Sequence, residues 1–132
     1  MPVFGVPSSS ALTERTVRLP VIGGKREVVV VSPRSVRISL TDRCDFACTY
    51  CRPSRSDGYA THRLDAAAWR TMIDGLIDAG VRRFRITGGE PLLVPEVVDV
   101  VRYIATRGVS DLALTTNASR LATLAQPLRD AG

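Results

Sequence analysis

From Ser35 onward the hydrophobic pattern of this chain switches repeatedly between a strand-like and a helix-like period, and that alternation restricts the fold more than any other feature. "VRISLT" (36–41), "VRRFRIT" (81–87) and "DLALTTN" (111–117) read as strands. Between the first two, "LDAAAWRTMIDGLIDAG" sets Trp69, Met72, Ile73, Leu76 and Ile77 on one helical stripe, with Asp65 as N-cap and Gly80 as stop. A second helix is expected to open at Pro95 and end before Gly108, and a short third helix to hold Pro127 in its first turn. The expected class is therefore α/β, with three βα units and a parallel sheet. Ahead of them, "VRLPVIGGKREVVVVS" reads as a β-hairpin turning at Gly23 and Gly24. The chain thus divides into a flexible leader (1–15), a hairpin extension (16–34) and a βα core (35–132).

Strand side chains alternate between two faces, and here the faces disagree in polarity. Val36, Ile38 and Leu40 oppose Arg37, Ser39 and Thr41; Phe84 and Ile86 oppose Arg83, Arg85 and Thr87; Leu112 and Leu114 oppose Ala113, Thr115 and Asn117. A parallel sheet covered on both sides by helices reads as continuous apolar runs. Half-polar strands instead imply helices on one face only, with the other lining the lumen of a curved barrel or half-barrel. Arg83 and Arg85 lie about 7 Å apart along one strand and repel by roughly 2 kcal/mol at an effective dielectric near 20. Enclosed, Arg37, Arg83 and Arg85 need anions such as phosphates; on an incomplete barrel they are merely solvated.

All three cysteines fall within "CDFACTYC" (44–51), on the loop after the first strand. "TGGEP" follows the second strand and "TTNAS" the third, so three chemistry-bearing loops share the C-terminal rim where parallel α/β folds bind ligands. An odd cysteine count packed this closely does not make a disulfide framework. Structural zinc wants four ligands, and the single histidine, His62, is a loop residue with no pattern tying it to the cysteines. An iron-sulfur cluster on three thiolates leaves one iron open.

The net charge of +5 is carried almost wholly by arginine, since Lys25 is the only lysine. Arginine forks suit phosphate and carboxylate, yet aromatics are only 5% of the chain, so the stacking platform of a nucleic-acid binder is lacking. No apolar run reaches the roughly 18 residues of a membrane span, and the N-terminus lacks the layout of a secretory signal. A cytoplasmic protein of one domain is expected.

The spacing Cys44-x-x-x-Cys48-x-x-Cys51, with Tyr50 before the last cysteine and "GGEP" closing the next strand, resembles the radical S-adenosylmethionine (radical SAM) superfamily. Within it, "VRISLTDRCDFACTYC", "RFRITGGEPLL" and "LTTNASRLATLAQPLRDAG" are similar to the GTP-cyclising family of molybdenum cofactor biosynthesis, across about residues 35 to 132. The resemblance implies a partial TIM-type (β/α) barrel of which this chain holds the N-terminal half. It implies a [4Fe-4S] cluster on Cys44, Cys48 and Cys51 whose open iron chelates S-adenosylmethionine, and a 5'-deoxyadenosyl radical that abstracts hydrogen from the substrate. It assigns Gly88, Gly89 and Glu90 to the methionyl group, Tyr50 to the adenine region, and Thr115 with Asn117 to the cofactor's polar atoms. Arg37, Arg83 and Arg85 fall to GTP or another anionic small molecule. An electron donor is implied as partner, and a homodimer is left open. Against the family pattern, Arg83 stands for a usual lysine, Ala118 for a glycine and Arg52 for a methionine. Other expectations stay open: a peptide- or small-molecule-modifying radical enzyme, or a non-catalytic iron-sulfur or zinc-binding fragment.

Overall fold

A computed structural model describes residues 14–21, 23–31, 35–51 and 58–132. The chain divides into two compact units, one holding the N-terminal hairpin and the other everything from the first parallel strand onward. In the hairpin, β1 (Glu14–Val21) and β2 (Gly24–Val31) pair antiparallel, with Val21 opposite Gly24. Gly23 has φ 98°, a left-handed conformation that favours glycine in so tight a connection. Of the expected leader (1–15), residues 1–13 lie outside the described residues, as does Arg52, while Glu14 and Arg15 belong to β1.

The second unit is a parallel sheet in the order β3 (Ser35–Ser39), β4 (Arg83–Thr87), β5 (Asp111–Leu114). Val36 pairs with Phe84 and Ile38 with Ile86, and Phe84 in turn pairs with Leu112. The apolar side chains therefore form cross-strand rows on one face, as their period of two requires. Ile38, Phe84 and Ile86 are buried, while Arg37, Arg83 and Arg85 are exposed on the opposite face.

Three helices cover the apolar face. α1 (Ala66–Asp78) is capped by Asp65, whose side chain accepts from the Ala68 N–H at 2.8 Å. Its stripe buries Trp69 and Ile73 in the core, with Met72, Leu76 and Ile77 packed at the margin. α2 (Val97–Ala105) contributes Val97, Val100, Val101 and Ile104. It opens two residues later than the expected Pro95, because the first α-helical bond runs from the Val100 N–H to the Glu96 carbonyl; Pro95 sits in the preceding turn.

α3 (Leu121–Ala131) corrects another expectation: Pro127 is its seventh residue and not part of its first turn. "LATLAQ" is rich in helix formers and starts the helix earlier. Leu124, Leu128 and Ala131 then recur at helical spacing, with Leu128 and Ala131 reaching the core. That packing offsets the hydrogen bond that proline removes.

α1 and α2 are also tied by a polar strap. Asp74 accepts from the Tyr103 hydroxyl at 2.7 Å and from Arg107 Nε at 2.9 Å, with a second, short contact to Arg107 Nη2. Arg107 lies 4.9 Å from the Tyr103 ring centre and Arg70 5.5 Å from it. No helix among the described residues is long and apolar enough to cross a membrane.

Candidate functional site

The three loops expected at one rim are hydrogen-bonded to one another. The cysteine loop runs on from β3, whose pairing with β4 is extended by a bond from the Leu40 N–H to the Thr87 carbonyl. Beyond it, the Gly89 N–H donates to the Thr41 carbonyl at 2.6 Å and the Glu90 N–H to the Arg43 carbonyl at 2.8 Å. The glycine pair permits this approach. A Cβ on Gly88 would stand 2.6 Å from the Thr41 oxygen, and one on Gly89 only 2.2 Å from the Arg43 oxygen. "TGGEP" is thus glycine-rich because a second backbone passes against it.

Glu90 binds the third loop. Its side chain is 0% exposed and every partner donates: the Leu92 N–H (2.8 Å) and the Thr116 hydroxyl (2.7 Å) to Oε1, and the Asn117 N–H (2.6 Å) to Oε2. Glu90 also caps the short 3-10 turn Pro91–Leu93. Asn117 closes the triangle, donating from Nδ2 to Asp45 Oδ1 at 2.7 Å and reaching Cys44 Sγ at 3.8 Å. Hydrogen bonds from Ser119 and Asn117, then the charge of Arg120, hold the Asp45 carboxyl below the usual aspartate range.

Cys44, Cys48 and Cys51 share the wall of a cavity of about 280 Å³ with Phe46, Gly88 and Gly89. Cys44 and Cys48 are half-buried and Cys51 is exposed. Cys44 Sγ accepts the Phe46 N–H at 3.4 Å, and the Cys51 N–H donates to the Cys48 carbonyl at 3.1 Å, turning the loop between its last two cysteines. Tyr50 projects beside them, 89% exposed; its hydrogen bond with Cys48, then the charge of Cys48, pushes its hydroxyl pKa up. A larger concavity of about 740 Å³ lies between residues 60–64 and 93–95, with no cysteine in its wall. The donor chemistry favours the smaller one.

Among the described residues no three His, Cys, Asp or Glu side chains stand close enough to hold one metal ion. A single zinc draws its thiolates to about 2.3 Å from one point. Three thiolate donors lining one cavity, with N–H donors beside Cys44, suit a cubane cluster, in which each thiolate takes its own iron.

The remaining expected site residues divide by loop. Thr115 and Asn117 lie beyond the end of β5; the Thr115 N–H still bonds the Ile86 carbonyl at 2.9 Å, but its side chain is exposed. Arg85 lies 3.8 Å from Asp111, whose backbone is the register partner of Arg83. Sequence reasoning passed over Thr116 and Asp45. Alternation placed Thr116 on the apolar side, but period two lapses once the strand stops at Leu114. Ala118, in the position a glycine was expected to fill, has φ 66°.

The model of the radical SAM superfamily matches residues 38–132. The GTP 3',8-cyclase of Acaryochloris marina is 51% identical over 102 residues, covering 74% of this chain and 31% of that relative. Those of Picosynechococcus sp. and Ectopseudomonas mendocina are 47% and 45% identical, covering 74% of this chain and 31% and 30% of theirs. The chain spans about a third of the length of the curated relatives it matches.

Proposed function

Because this chain belongs to the radical SAM superfamily, we propose that it carries the cluster-binding part of a cytoplasmic GTP 3',8-cyclase-like enzyme. The observation that carries this reading is the cavity in which Cys44, Cys48 and Cys51 meet Gly88 and Gly89. Cys44, Cys48 and Cys51 would hold a [4Fe-4S] cluster. When bound, the cluster supplies the electron that cleaves S-adenosylmethionine to a 5'-deoxyadenosyl radical.

The chain's own residues bind and orient. The backbone of Gly88, Gly89 and Glu90 lies beside the cysteines and offers its remaining polar groups to the methionyl end, since the Glu90 carboxylate is occupied internally. Tyr50, exposed next to Cys48, covers the adenine region. Thr115 and the Asn117 segment border the cofactor from the third loop. Arg37, Arg83 and Arg85, exposed on the sheet face opposite the helices, take the triphosphate of GTP; the names of the relatives support GTP over other anions. Asp111 holds Arg85 until the phosphate displaces it.

Anaerobic reconstitution with iron and sulfide tests the reading. Sulfide-dependent visible absorption is expected, followed by a change in the electron paramagnetic resonance of the reduced sample on adding S-adenosylmethionine. Stoichiometric zinc with no such absorption would refute it in favour of a zinc-binding fragment. For the substrate, Arg85→Ala should weaken GTP binding at least tenfold with cluster content unchanged, and equal affinity would remove Arg85 from the site.

A further inference from the structure

Asn117 is the only asparagine in the chain, and all its polar groups on the cluster side are committed. Its backbone N–H is held by the fully buried Glu90 carboxylate at 2.6 Å. Its Oδ1 accepts from the Ser119 N–H at 2.9 Å, and its Nδ2 donates to Asp45 Oδ1 at 2.7 Å. These contacts fix the orientation of the amide, because a flipped group would set oxygen against the Asp45 carboxylate and nitrogen against the Ser119 donor. The second N–H of Nδ2 is left for Cys44 Sγ, 3.8 Å away.

We propose that Asn117 is a positioning residue that holds an N–H donor against the Cys44 sulfur and so raises the reduction potential of the iron-sulfur cluster ligated there. The proposal rests on the cluster reading above. Adding an electron makes the cluster and its thiolates more negative. A donor aimed at a ligand sulfur stabilises that reduced state more than the oxidised one. The Phe46 N–H serves the same sulfur at 3.4 Å but belongs to the backbone, and substitution leaves it in place. Asn117 is the donor that substitution can remove. Glu90 keeps it aimed: an internal carboxylate, far too buried to exchange with water, anchors the main chain on which the amide stands.

The test uses the reconstituted chain with dithionite as reductant. Asn117→Ala is expected to keep its iron and sulfide while its one-electron midpoint falls by the equivalent of a tenfold change in the reduction equilibrium, about 59 mV. Independently, wild-type chain grown on side-chain 15N-asparagine carries one label, and its reduced cluster should show a 15N coupling in pulsed electron paramagnetic resonance. Should the variant lose its iron, the labelled wild-type chain decides alone. A wild-type cluster with an unshifted variant midpoint, or with no 15N coupling, overturns the inference and leaves the cluster standing. A wild-type chain that takes up no cluster overturns both.

Discussion

Glu90→Gln exchanges one carboxylate oxygen for an amide nitrogen at a position with 0% exposure. The best placement keeps an oxygen at Oε1, retaining the Leu92 N–H and the Thr116 hydroxyl, and turns the new NH2 toward the Asn117 N–H. Donor then faces donor. One hydrogen bond is lost and a buried N–H is orphaned, which together cost about 2–3 kcal/mol. With a urea dependence of roughly 1–2 kcal/mol per molar for a chain this small, the unfolding midpoint should fall by about 1–3 M. The assay is urea denaturation of the metal-free chain, followed by far-ultraviolet circular dichroism. Metal-free protein is the informative sample, because a side chain serving only a cofactor would leave its stability untouched. Thr116→Ala should couple to Glu90→Gln by about 0.5–3 kcal/mol in a double-mutant cycle, since the two residues share one hydrogen bond. A single-variant midpoint within about 0.3 M of wild type, with the two substitutions simply additive, would refute the view that Glu90 fastens the loops.

Two further outcomes follow from other contacts. Gly89→Ala places a methyl group 2.2 Å from the Arg43 carbonyl, so the loop carrying Cys44 must move; iron bound per chain after reconstitution should fall several-fold, and an unchanged iron content would deny the close approach any role. Hydrogen bonds from Arg107 and then Tyr103 hold the Asp74 carboxyl below its usual value in the folded chain. Its stabilising contribution is therefore complete above the unfolded aspartate pKa of about 3.9 and is lost as pH falls through the lower folded value. The stability gap between wild type and Asp74→Asn should be constant above about pH 5 and shrink on acidification. A gap that persists at the acid end would mean that packing, and not the carboxylate, ties α1 to α2.

Much of the fold was legible because its determinants are local. Asp65 caps α1 by reaching three residues along its own chain, and Ile38, Phe84 and Ile86 declare the buried face through strict alternation. Where periodicity ends, so does legibility. Pro95 and Pro127 were misplaced by two residues and by half a helix, because a proline's preference for a first turn is weaker than a neighbouring run of helix formers or an anchored stripe. In the site, the cysteine spacing and the glycine pair announced themselves as short patterns. Thr116 and Asp45 did not, since their roles exist only through partners 26 and 72 residues away.

The residues alone determined that thiolates, glycines and arginines would collect at one rim and one face of a parallel sheet, for strand alternation and loop order are properties of the chain. Tertiary structure decided how those loops are held. The Glu90 carboxylate is buried among donors from its own chain, and an asparagine amide is aimed at a cysteine sulfur. Such assignments depend on which groups lose water together, and that is settled only when distant segments pack.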